Sequence, residues 1–185
     1  MARKKESNVA RSRPASPSAR RRRLWVSGLA VALIAAGLVG YFAYRAAADL
    51  PGAKLADQGN AHLQMATDPH APYNSDPPTS GPHLPYIAPW GIHTSPIVKE
   101  LQVHNLEDGG VMVQYHCATP CPELVARLTE IVKRYETQVI LAPYPGMRTR
   151  IALTAWTRLD AFDELDEARI VRFIRAYRGI DHHKG

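Results

Sequence analysis

IVKELQVHNLEDGGVMVQYH, Ile97–His116, is the stretch whose reading decides the fold. Its centre, Glu107-Asp108-Gly109-Gly110, lies between two runs rich in Ile, Leu and Val. Asp-Gly between alternating residues is a strong signal for a tight hairpin turn. Ile97–Asn105 and Val111–His116 are therefore expected to be paired strands. Successive strand side chains point to opposite faces, so Val111, Val113 and Tyr115 share one side and Met112, Gln114 and His116 the other. On this reading His104, Met112 and His116 stand on one side of the hairpin in a suitable register.

Downstream, Pro122–Tyr135 (PELVARLTEIVKRY) places Leu124, Val125, Leu128, Ile131, Val132 and Tyr135 at helical spacing, with Pro122 suited to the first helical position. Gln138–Ala142 and Arg150–Trp156 read as strands around a turn at Pro143–Thr149, and Asp163–Tyr177 reads as a second amphipathic helix. The expected architecture is an α+β two-layer sandwich of β-hairpin, helix, two strands and helix. Upstream, Tyr73–Pro96 is too rich in proline for helix or ladder pairing. Ser80-Gly81 predicts a turn that presents His83, and Trp90-Gly91 a buried aromatic beside a bend.

The formal charge of +6 belongs to one end of the chain. Residues 1–23 hold nine of the 23 Lys+Arg and one of the 17 acids, which leaves 14 bases and 16 acids beyond them. A near-neutral body argues against nucleic-acid binding by the globular part. Leu24–Tyr44 (LWVSGLAVALIAAGLVGYFAY) carries no charge, and as a helix it spans ~31 Å, the thickness of a hydrocarbon core. Trp25, Tyr41, Phe42 and Tyr44 suit the interfaces, and the arginines before it predict a cytoplasmic N-terminus. A cleaved signal peptide is the rival, with Ala46-Ala47-Ala48 as its cleavage site, but the apolar run exceeds a usual h-region. The expected organisation is a disordered basic cytoplasmic tail (1–23), a transmembrane helix (24–44), a stalk (45–72), an exported globular domain (73–180) and a disordered end (181–185). The expected location is the inner (plasma) membrane, single-pass, with the domain extracytoplasmic.

From about His62 to Tyr177 the chain resembles the bacterial and archaeal family known as domain of unknown function 3105. Pro77-Pro78-Thr79-Ser80-Gly81-Pro82-His83 and Val103-His104-Asn105-Leu106-Glu107 carry the resemblance, with Gly109-Gly110-Val111, Tyr115, Pro143 and Ala152-Leu153-Thr154-Ala155-Trp156. It implies a short membrane-anchored protein with an exported domain and no established activity. The family often has a histidine after the glutamate of the second motif, where this chain has Asp108, and a site using that histidine would be altered here.

The chemistry is argued from residue types. His83 and His104 lead as candidate metal ligands, and Met112, His116, Cys117 and Cys121 are auxiliary candidates. Imidazole suits copper, zinc and nickel, while added thioether or thiolate shifts preference towards Cu(I). The plain alternative makes His83 and His104 structural, with His104 paired to Glu107. Cys117-Ala118-Thr119-Pro120-Cys121-Pro122 has three readings: a disulfide, the default in an oxidising compartment; a thiolate metal site loosely resembling the Sco-type copper-delivery motif; or a catalytic thiol at a helix N-terminus. Ser80, His83 and Asp76 or Glu107 contain the residue types of a hydrolytic triad, without a nucleophile-elbow pattern. His62, Met65 and His70 read either as a flexible donor set or, the plainer reading, as ordinary polar residues of a linker, and His182-His183 reads as a frayed, solvated end sooner than as an adventitious metal site. The expected function is handling or delivery of a soft transition metal, copper first and zinc second, by a domain with no named enzymatic activity. The alternative is a non-catalytic interaction domain that docks on a membrane protein complex through its Pro/Trp loop.

Overall fold

The computed structural model describes residues 17–48 and 50–183. The chain divides into two compact units, with the boundary between Asp49 and Leu50. The first is a single helix, α1 (Pro17–Ala48), whose Leu24–Phe42 portion has mean hydropathy 2.0 and is long and apolar enough to cross a membrane. The basic tail expected to be disordered lies outside the described residues over 1–16, and from Pro17 onward it is helix.

The second unit is α+β. Its strands are β1 (Ala53–Lys54), β2 (Gly91–Ile92), β3 (Val111–Tyr115), β4 (Val139–Pro143), β5 (Ile151–Ala155) and β6 (Arg158–Phe162), and its helices are α2 (Lys99–Glu107), α3 (Pro122–Val132) and α4 (Glu167–Tyr177). They build one mixed sheet in the order β1-β6-β5-β3-β4-β2. β3 and β4 run parallel, with α3 as the crossover between them, and β5 pairs antiparallel with both β3 and β6.

The hairpin expected at Ile97–His116 is instead a helix followed by a strand. Gly109 takes φ 75, its N–H donates to Leu106 O, and Gly110 N–H donates to Asn105 O at 2.8 Å. These two bonds are the Schellman closure of α2. The left-handed glycine of a hairpin turn is equally the left-handed glycine that ends a helix. The buried positions decide between them: Gln102, Val103, Asn105, Leu106 and Glu107 lie on one helical face. Asn105 fastens that face by donating to Ala88 O and accepting from Ala88 N, each at 2.9 Å.

The two sides of β3 face two cores, divided as the alternation predicts. Val111 and Val113 pack with Leu128 and Ile131 of α3 and with Ile170 and Phe173 of α4. Met112 packs with Val103 and Leu106 of α2 and with Ala88, Ile140 and Trp156. α2 and the proline-rich loop therefore form a layer on the sheet face opposite α3 and α4, which the two-layer expectation lacked. β6 also escaped the sequence reading, because one of its two buried positions, beside the apolar Phe162, is the charged Asp160, which accepts from Arg169 at 2.8 and 2.5 Å. α4 begins later than expected, at Glu167, where the Asp166 side chain accepts from Arg169 N.

The segment expected to be a stalk, 45–72, is part of the domain from Leu50 on. β1 pairs with β6, and His62 forms a parallel bridge with His83. Gln58 N donates to Ser80 Oγ and Gly81 N to Gly59 O, so residues 58–63 lie along the proline loop and bury Thr79, Ser80 and His83.

Candidate metal centre

Four segments converge at the C-terminal end of α2. His104 and Glu107, three residues apart, lie on the same side of that helix, and Asp108 follows at its cap. The proline loop brings His83, held by His83 N donating to Ala61 O and Leu63 N donating to His83 O. The same ladder brings His62. The segment after α4 returns over α2, with Gly179 N donating to Gly109 O and His182 N to Glu107 O, and this places His183.

The common point is Oε2 of Glu107. His83 Nε2 lies 2.9 Å from it, His183 Nε2 3.4 Å and His62 Nε2 3.9 Å. The rings of His62, His83 and His104 form a triangle with centroids 5.1, 5.1 and 5.4 Å apart. One ligand atom from each of His62, His83, His104 and Glu107 falls within 4.8 Å of the others. A tetrahedral ion with bonds near 2.0–2.2 Å needs donors roughly 3.3–3.6 Å apart, so small side-chain rotations would close this set on an ion. Glu107 and His83 are 0% exposed, whereas His62 is 46% exposed. The centre has a fixed floor and an open rim.

The surrounding hydrogen bonds aim these donors. His83 Nδ1–H donates to Gly81 O at 2.7 Å, so Nε2 is the nitrogen turned to Glu107. A carbonyl on the far nitrogen is the usual way a protein sets the tautomer of a metal-binding histidine. Asn60 Nδ2 donates to Glu107 Oε1 at 2.7 Å and leaves Oε2 to the imidazoles. His104 Nδ1 is buried and lacks a hydrogen-bond partner among the described residues. Burial holds the His104 pKa below its ordinary value against the opposing pull of Asp108, so this imidazole is biased towards its neutral, ligating form. A buried ring nitrogen without a partner is a costly arrangement, and in the tautomer that turns the Nδ1 lone pair inward a cation would relieve it.

The structure thus brings His83 and His104 together, as the sequence reading expected, but from a loop and a helix. The auxiliary candidates are not brought to this cluster. Met112 is 0% exposed within the apolar packing of α2 on the sheet. Cys117 and Cys121 are bonded to each other, which removes both thiolates as ligands, and Cys117 packs against the opposite core with Tyr115. His116 lines a groove beside that disulfide and α3. The triad of Ser80, His83 and an acid is not assembled either. His83 Nε2 does face Glu107, one of the two acids considered, but Nδ1 donates to Gly81 O, which leaves no ring nitrogen for Ser80; Ser80 Oγ accepts from Gln58 N, and Asp76 pairs with Lys99 and Tyr144.

Glu107 was noticed in sequence as a structural partner of His104, and His62 and His183 as separate loose donors. His104-x-x-Glu107 is a helix-face spacing, and reading α2 as a helix would have singled it out. The segment expected to be a disordered end is ordered through His183, where Asp181 accepts from His183 Nδ1 at 2.7 Å.

The family described as a protein of unknown function (DUF3105) matches residues 64–184, well over half of the chain, and the chain belongs to that family. No curated protein matches it, and no solved structure does.

Proposed function

We propose that this DUF3105 member binds a divalent transition-metal ion, copper(II) or zinc, through His62, His83, His104 and Glu107, and that it handles or delivers that ion. The observation that carries the reading is Oε2 of a fully buried Glu107 ringed by imidazole nitrogens, beside the unpartnered Nδ1 of His104. The sulfurs lie elsewhere, so the donors are three imidazoles and one carboxylate. That borderline set suits Cu(II) or Zn(II) better than Cu(I). An open rim at His62 favours exchange of the ion over permanent structural use.

Location is part of the proposal. The apolar run Leu24–Phe42 supports an anchor, and the arginines preceding it favour a domain on the extracytoplasmic side of the plasma membrane. The decisive experiment is metal analysis of the full chain in detergent, stripped with chelator and then titrated with Zn2+ or Cu2+. One ion per chain is expected, abolished in the His83→Ala, His104→Ala double variant, whose circular dichroism reports whether the fold persists.

A second reading is an interaction domain docking on a membrane protein complex, favoured by Tyr86 and Ile87, exposed at 66% and 40% on the proline loop. Trp90 does not contribute, because it packs against α2 and the sheet. A wild-type chain that takes up no metal, with a double variant that only loses stability, would favour this reading.

A further inference from the structure

The segment Asp181–His183 stays outside the ligand set named above, yet it is fitted to it. His183 Nε2 lies 3.4 Å from Glu107 Oε2 and 3.6 Å from Asp108 Oδ1. With His104 and Asp108 it forms a second group whose ligand atoms fall within 4.8 Å of one another. We propose that this segment is a clasp over the centre, with His183 as the exchangeable ligand of a divalent transition-metal ion whose other ligands are fixed in the fold.

The argument rests on the metal-binding reading and adds three observations to it. First, the ring is aimed. Asp181 Oδ1 accepts from both His183 N, at 2.9 Å, and His183 Nδ1, at 2.7 Å, which turns Nε2 towards Glu107. A carboxylate on the far nitrogen also makes an imidazole a more basic ligand. Second, the segment is docked on the helix end that carries the ligands. His182 N donates to the Glu107 carbonyl at 2.9 Å, and the His182 ring stacks on Trp156 at 5.8 Å between centroids. Third, the clasp is the removable part. His183 is 44% exposed and Asp181 70%, over a Glu107 and a His83 that are wholly buried. His183 and Asp108 share the solvent-facing rim with His62, so His183 is a ligand that an entering ion can meet early and a leaving ion can shed early. His104 belongs to both groups, so it keeps hold of the ion while the outer ligand changes.

The experiment uses the full chain in detergent loaded with one equivalent of Cu2+, read by electron paramagnetic resonance and by stopped-flow release to excess EDTA. In His183→Ala the chain should still hold one ion. It should lose one nitrogen from the superhyperfine pattern and release Cu2+ about tenfold faster. Asp181→Asn should accelerate release by a smaller factor with the nitrogen count unchanged. Unaltered release and spectrum in His183→Ala would overturn the clasp while leaving the metal site standing. Faster release with an unchanged nitrogen count would remove His183 as a ligand, and complete loss of binding would show it to be obligatory rather than exchangeable. Absence of Cu2+ binding by the wild-type chain would overturn the metal reading and the clasp together.

Discussion

At the level of single residues, His104 ties stability to pH. Its folded pKa is lowered by burial, so the unfolded chain binds more protons than the folded one below its ordinary value of about 6.5. Its stabilising contribution is therefore complete above that value and is lost as pH falls through the lower, folded pKa. Metal-free protein should become easier to denature with urea on acidification below about pH 6.5, and His104→Gln should flatten that part of the profile. His183 shifts the other way, raised by its hydrogen bond to Asp181, so its solvent-screened contribution fades as pH rises instead. Asn60 makes a separate test, because it touches Glu107 only through Oε1. Asn60→Ala should weaken Zn2+ binding about 10–100-fold in a competition titration while leaving one ion per chain.

Elements fail or hold through their ends. A Cβ at Gly110 would sit 2.4 Å from Asn105 O and 2.7 Å from the Trp90 ring, both fixed parts of the closure of α2. Gly110→Ala should cost about 1–3 kcal/mol in denaturant unfolding and should also disturb metal binding, since that closure positions Glu107. At the start of α3, the disulfide joins residues four apart, Cys117 and Cys121. Closing so short a loop is worth about 2 kcal/mol by the chain-entropy relation. The Cys117→Ser, Cys121→Ser double variant should lose that stability and keep its full metal stoichiometry, an outcome incompatible with thiolate ligands. α2 also explains why part of the site was illegible. Ile97, Leu101 and Val103 alternate as a strand would, and Asp-Gly-Gly suits a turn, so local pattern and local chemistry agreed on the wrong element. The helix wins because Leu106 and Asn105 are buried only when α2 lies across the sheet, and that contact is tertiary.

At the scale of the molecule, the boundary at Asp49–Leu50 predicts what can be cut away. A fragment starting at Leu50 retains the sheet, both cores and every candidate ligand. It should be soluble without detergent, show the same far-ultraviolet circular dichroism as the domain in the full chain, and bind one ion. The full chain should resist extraction from membranes by alkaline carbonate. Sequence by itself determined the apolar run Leu24–Tyr44, the α+β class, the helices α3 and α4 and the strands β3, β4 and β5, because each has a period or composition set within its own residues. It also picked out His83 and His104 as the leading candidate pair. Only the tertiary structure decided that Glu107, His62 and His183 lie beside them and that Met112 and the cysteines do not. Those outcomes depend on which segments the sheet and α2 draw together from residues 62 to 183, and no local pattern encodes a distance between residues so far apart along the chain.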